Sequence, residues 1–253
     1  MRLRDFYQAY PPEGIEITRR VHKAAALLKR FAPPGAPLLD IGCGAGAVAS
    51  FIAGALGSGV VKGVEVAEPA AALARARGLD VVSLDLNGDR LPFDDGTFGA
   101  VFCGEVIEHL VDTDHLMAEI HRVLSDDGVC VITTPNLAAW YNRVALLFGY
   151  QPFLTQVSFR HAPGRPPFLG ASGGGHLRVF TYKALVDFAR LCGFDVVARR
   201  GAGVFEIASP PGPGWARLLF RFVDSLFTPF PSLACDVLLA LRKSSAAPTR
   251  SDG

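Results

Sequence analysis

No stretch of the 253-residue chain reaches the roughly 18 uninterrupted apolar residues that a membrane span requires. The opening Met-Arg-Leu-Arg-Asp-Phe also lacks the apolar core of a secretory leader, so a cytoplasmic protein is expected. Cysteine is scarce. The five, Cys43, Cys103, Cys130, Cys192 and Cys235, are odd in number and dispersed through apolar contexts with no close metal-ligand spacing, which excludes a disulfide framework and leaves reduced core thiols. An excess of one charge is missing too. Lys and Arg number 25 against 24 Asp and Glu, a net charge of +1. Residues 1–30 carry seven basic side chains against three acidic ones, but a basic solvated helix accounts for them, and no broad footprint for nucleic acid remains. Internal repeats are absent. So is the G-x-G-x-x-G that seats a dinucleotide pyrophosphate on a helix amino end. A hydrophobic fraction of 50% supplies ample core for one large α/β domain with appendages.

What is present begins with residues 38–49, Leu-Leu-Asp-Ile-Gly-Cys-Gly-Ala-Gly-Ala-Val-Ala, a buried strand ending in an acid and a glycine-rich turn before a small-residue helix. Gly42, Gly44 and Gly46 remove every Cβ where the chain must turn sharply and let a ligand approach backbone. A second strand, 59–66, ends in Glu65, about 20 residues beyond the turn, where an acid can take both hydroxyls of a ribose. A third, 80–86, carries Asp85 near its end and is followed by Leu-Pro-Phe-Asp-Asp-Gly-Thr-Phe (91–98). A fourth, 98–105, runs into Val-Ile-Glu-His-Leu, and 122–136 holds a fifth.

In that order, over roughly residues 36–243, these segments resemble the class I S-adenosylmethionine-dependent methyltransferases. The resemblance implies an α/β, Rossmann-like fold: a seven-stranded, mostly parallel sheet with helices on both faces and an antiparallel last strand. It implies S-adenosylmethionine as cofactor, held by Asp40, Gly42, Cys43, Gly44, Gly46 and Glu65, with Asp85 at the adenine amine, Leu86 beside it, and Glu105 toward the methionine end. Gly99 departs from an aspartate common in the family, with little effect expected.

Helical spacing through Val21, Ala25, Leu28 and Phe31, stopped by Ala-Pro-Pro-Gly-Ala-Pro, gives residues 1–35 as an amino-terminal helical cap able to lid the cofactor. Residues 36–243 form the main domain, interrupted by an acceptor-side insertion at about 136–178. A capped helix (181–192), a sixth strand (193–198) and a seventh (235–243) complete it. Residues 244–253, small and polar, read as a disordered tail.

Methyl transfer from a sulfonium is an in-line displacement, so an enzyme mostly contributes alignment, and an oxygen acceptor must also lose its proton to a base or beside a metal. Glu105, Glu108 and His109 stand at i, i+3 and i+4, one face of a helical turn. His176, behind three glycines, could complete an O/N ligand set suited to magnesium or manganese rather than to structural zinc. This E-x-x-E-H with a distant histidine resembles quinone-biosynthesis O-methyltransferases and small-RNA 2′-O-methyltransferases. It marks Glu108, His109 and His176 as catalytic candidates, and these three with Glu105 as metal candidates. The alternative is that Glu108 and His109 brace the turn while Glu105 meets the cofactor. His22, His115 and His121 read as solvent-facing, and His161 as an ordinary loop residue.

Aromatic and aliphatic residues dominate 140–153 and 215–230, as an apolar acceptor or plain core packing would require. The second segment is expected to pack on the sheet, with an interfacial helix and peripheral membrane contact as the alternative. The function expected is methyl transfer to oxygen on a small-molecule or lipid-linked acceptor. A metal-dependent RNA 2′-O-methyltransferase and a non-catalytic cofactor-binding regulator are the rivals.

Overall fold

The computed structural model describes residues 17–155, 157–158, 161, 163–164, 175–204 and 214–245. The start of the expected cap, most of the glycine-rich run before His176 and the end of the expected tail lie outside them. Helix α1 (Arg19–Phe31) begins where the Thr18 hydroxyl accepts from the Val21 amide and ends ahead of Pro33. Its buried face, Val21, Ala24, Ala25, Leu27 and Leu28, lies on Leu38, Ala100, Val129, Val131, Leu238 and Ala240 of the sheet. The helix is therefore part of the core.

Strands β1 (Leu38–Ile41), β2 (Val61–Glu65), β3 (Asp80–Ser83), β4 (Phe98–Gly104), β5 (Leu124–Pro135), β6 (Phe194–Ala202) and β7 (Asp236–Lys243) form one sheet in the order β3-β2-β1-β4-β5-β7-β6. Only β7 runs antiparallel to its neighbours, as expected of the last strand. Crossover helices α2 (Ala47–Leu56) and α3 (Glu68–Ala76) follow β1 and β2, α4 (Thr113–Val123) precedes β5, and α6 (Tyr182–Leu191) precedes β6. One face of the sheet is covered by α1 and α2. The other is filled by Leu116, Met117 and Ile120 of α4 and by Leu185, Val186 and Ala189 of α6. All five cysteines are free thiols, four of them buried.

Two strand ends differ from expectation. β3 stops at Ser83, because Asp85 turns the chain locally: its Oδ1 accepts from both the amide and the side-chain nitrogen of Asn87. β6 continues to Ala202 because β7 pairs with it over nearly its whole length, past a register shift between Val196 and Ala198.

A larger difference concerns α7 (Gly214–Phe227). Both faces of the sheet are already covered, and this helix packs instead on α5 (Trp140–Leu147). Phe220 and Phe227 meet the Trp140 ring at centroid distances of 5.0 and 5.7 Å, and the Trp140 indole donates to Asp224 Oδ1. The expectation that 215–230 packs on the sheet is thus corrected: Trp215, Leu218, Leu219, Phe222 and Leu226 point to solvent.

Candidate functional site: the carboxyl edge of the sheet

Parallel strands bring their carboxyl ends to one edge, and the crevice there, where strand order reverses between β1 and β4, is where such sheets take ligands. Asp40 sits second from the end of β1, beside Gly63 and Phe102. It is 2% exposed, its Oδ2 has no hydrogen-bond partner, and burial, aided by the Glu65 charge, pushes its carboxyl up to about 8. The following turn takes positive φ at Gly42 (76°), Gly44 (52°) and Gly46 (83°). These three glycines serve different ends. A Cβ on Gly42 would strike Val106, and one on Gly46 would press on Ala74 and Leu79, whereas one on Gly44 would meet nothing within 4 Å. Space is thus left open beside backbone only at Gly44.

Glu65, at the end of β2, is held by two amides: Gly44 N donates to Oε2 at 2.9 Å and Ala67 N to Oε1 at 2.8 Å. Each oxygen retains further lone pairs. Cys43 is buried against the third core cluster, and its thiol is pushed up, first by burial. Leu86, partly buried, packs on the main core just after Asp85.

Beyond β4 the chain bends sharply. Glu105 adopts φ 57°, a left-handed conformation costing a non-glycine residue about 1–2 kcal/mol. A 3-10 turn, Ile107–His109, follows. Glu105 is turned aside: Thr133 Oγ1 donates to its Oε1 at 2.8 Å, and Arg20 Nη1 pairs with its Oε2 at 2.7 Å. Glu108, 1% exposed, accepts from Thr134 Oγ1 at 3.0 Å, while its Oε1 has no partner. Burial first, then the Glu105 charge, raises its carboxyl well above the ordinary range.

The glycine-ended loop closes on this turn, with Leu177 N and Arg178 N both donating to the Glu108 carbonyl. That brings His176 to His109, ring centroids 4.8 Å apart. His109 Nδ1 lies 3.3 Å from the Gly175 carbonyl and His176 Nδ1 2.7 Å from the Leu154 carbonyl. Only an N–H can bond a carbonyl, which assigns the ring protons to Nδ1 and the lone pairs to Nε2. Burial lowers both imidazoles, His109 to about 4 with help from His176. One ligand atom each of Glu108, His109 and His176 fall within 4.8 Å of one another. Glu105, bound to Arg20 and Thr133, stands outside that group. The other histidines lie elsewhere: His22 bonds the Thr18 carbonyl, His115 the Asp89 carbonyl, His121 meets Phe194 edge-on, and His161 is exposed in its loop.

Sequence reasoning missed the residues that set this geometry. Arg20 binds both Glu105 and Asp236, whose Oδ2 is 2.6 Å away. A signal existed, since Arg20 falls on the same helical stripe as Ala24 and Leu27. Thr133 and Thr134 had none beyond their place at a strand end. Gly63 was missed too; its bare Cα lets β2 pass under the Cys43 thiol.

Residues 39–132 match a family described as a methyltransferase domain. Nocamycin O-methyltransferase of Saccharothrix syringae is 38% identical over 177 residues, covering 57% of this chain and 62% of that one. The methyltransferase GfsG of Streptomyces halstedii is 32% identical over 147 residues, 55% of this chain and 52% of its own. This chain thus spans between half and two thirds of the length of either relative. Phosphoethanolamine N-methyltransferase 2 of Haemonchus contortus, solved with S-adenosyl-L-methionine, aligns with 97% of this chain and 60% of that one at a TM-score of 0.62 and 19% identity, a likeness of fold. In the segment 39–132 and in its fold the chain is similar to the class I S-adenosylmethionine-dependent methyltransferases.

Proposed function

We propose that this protein transfers a methyl group from S-adenosylmethionine to a hydroxyl of a small-molecule or lipid-linked acceptor. The observation that carries the reading is Glu65, a carboxylate pinned by two backbone amides at the sheet's carboxyl edge, beside the open space at Gly44 and the partnerless Asp40 oxygen. Its remaining lone pairs suit a ribose diol, which needs two acceptors held in fixed register. Gly42, Cys43, Gly44 and Gly46 would shape the backbone around the ligand, with Asp85 and Leu86 toward the base and Glu105 toward the amino-acid end.

Bound S-adenosylmethionine supplies an electrophilic methyl group on sulfur. Residues of this chain then have to align an acceptor and take its proton. His109 and His176, neutral at physiological pH, present Nε2 lone pairs able to accept a hydroxyl proton, and Glu108 stands beside them. The O-methyltransferase relative supports oxygen as the acceptor atom. Calorimetry with S-adenosylmethionine and its demethylated product tests the cofactor half: Glu65→Ala should cost about 1–3 kcal/mol of affinity in a folded protein. Equal affinity would remove Glu65 from the site. Loss of either histidine should lower kcat by about 10²–10⁴ with cofactor affinity kept.

One observation favours a second reading, in which Glu108, His109 and His176 hold a divalent cation: Glu108 belongs to the 4.8 Å grouping, and its orphaned Oε1, 4.0 Å from His109 Nε2, is an oxygen that an ion would satisfy. Two imidazoles with one carboxylate suit manganese better than magnesium. Such an ion would polarise an acceptor oxygen. Metal analysis together with activity in chelator tests this, and full activity without metal removes the ion while leaving the first reading intact.

A further inference from the structure

Helix α7 is inside out. At about 100° per residue its outward positions Trp215, Leu218, Leu219, Phe222 and Leu226 fall within an arc of about 100°. They are exposed by 72, 69, 57, 62 and 53%, while Asp224, the helix's one acid, is 3% exposed and already accepts from Trp140 and Val204. The end of α5 behaves alike, with Leu147 and Phe148 exposed by 80 and 71%. Contiguous apolar surface of this kind marks a contact site.

The charge beside it says what kind. Arg221 flanks the stripe on the side that faces α1, and Arg217, one turn before it, is exposed as well. There a cleft of about 260 Å3 opens between α1, β6 and α7, lined by Arg19, Lys23, Arg200 and Arg221, with the buried Asp224 the one acid among the described residues of its wall. Apolar and aromatic side chains beside Arg19, Arg200 and Arg221 are complementary to a surface that is apolar within and anionic outside. A second copy docked through α7 would offer these arginines no carboxylate from that helix, whose one acid, Asp224, is buried.

We propose that α7 and the adjoining cleft seat this protein on an anionic phospholipid bilayer, the apolar stripe entering the acyl boundary and the cations meeting lipid phosphates. The geometry connects this surface to the site. Phe220 packs on Trp140 and Tyr141, Tyr141 packs on Phe153, and the next residue, Leu154, holds His176 through its carbonyl. An acceptor lying in the membrane would therefore approach the wall that carries the histidines. The docking itself stands whether or not the chain methylates oxygen.

Vesicle sedimentation of the full chain tests it. Binding is expected to vesicles of phosphatidylglycerol in phosphatidylcholine, not to phosphatidylcholine alone, and to weaken as salt rises. Trp215 emission should shift to the blue on binding, a shift lost in Trp215→Phe. Arg217→Glu with Arg221→Glu should weaken binding by about fivefold or more for each arginine. Phe222→Ser with Leu218→Ser should weaken it at least as much while the melting temperature, set by the inward face, is kept. Failure of the wild-type chain to bind anionic vesicles at low salt would overturn the proposal. Vesicle binding unchanged in both double variants would do so too, as would a dimer that these substitutions convert to monomer.

Discussion

Arg20 Nη1 lies 2.7 Å from Glu105 Oε2, so a cation from the first described helix grips a residue held in left-handed conformation at the end of β4. The same nitrogen reaches Asp236 Oδ2 at 2.6 Å. One guanidinium thus ties α1 to the end of β4 and to the start of β7. Its two partners and its burial oppose each other: desolvation favours losing the charge, and the carboxylates more than restore it.

Arg20→Met should therefore destabilise the fold by about 3–5 kcal/mol near pH 8, since it leaves the buried Asp236 and the part-buried Glu105 without their cation. Burial holds the Asp236 carboxyl up to about 7, so mild acid should neutralise it and shrink the deficit. Urea denaturation at about pH 8 and pH 5.5 measures this. The same deficit at both would mean that lost packing, not charge, is responsible.

Gly44 and Gly63 should separate binding from folding. Gly63→Ala pushes a methyl group into Cys43 and Val81 and should cost about 1–3 kcal/mol of stability. Gly44→Ala meets no atom within 4 Å; beyond the roughly 1–2 kcal/mol of its positive φ it should act mainly on cofactor affinity. Melting curves and calorimetry on the two variants decide the matter, and cofactor binding at wild-type strength in Gly44→Ala would contradict the proposed approach of ligand to backbone.

Asp40 carries a pH signature. Its carboxyl stands at 3.8 unperturbed and about 8 when folded, so the folded chain keeps a proton that the unfolded chain has given up. The associated stability is complete below the lower value and is lost as pH rises through the upper one. Asp40→Asn, which cannot ionise, should gain on the wild type as pH goes from about 5 to about 9. Parallel melting curves across that range would show that Asp40 is charged throughout.

His109 shifts the opposite way, from 6.5 to about 4. Its contribution to stability is therefore complete above 6.5 and lost as pH falls through about 4. If it accepts the acceptor's proton, kcat should be level between about pH 6 and 8 and fall only as pH approaches 4. A rate that follows an ordinary histidine titration near 6.5 would place the base elsewhere.

The strand edges were legible because they depend on local signs: an acid closing an apolar run, glycines where φ must be positive, a fixed distance to the next acid. His176 was legible through the glycines before it, although its approach to His109 is 67 residues long. What escaped were the partners. Thr133, Thr134, Arg20 and Asp236 matter only through long-range pairings that no local pattern encodes, and Thr133 with Arg20 draws Glu105 out of the ligand group its spacing suggested. For α7, amphipathic spacing shows that two faces differ but not which one is inward; that was settled by helices already covering the sheet.

The sheet order carries a consequence for synthesis. β7 follows every other strand in the chain yet takes an interior place, between β5 and β6. Until it leaves the ribosome, β5 and β6 each present a bare edge, the Phe31 carbonyl awaits Arg242, and Arg20 lacks Asp236. The newborn polypeptide cannot complete its sheet before β7 is free, so a chain broken off before residue 236 would carry the bare edges of β5 and β6 into solution and invite aggregation.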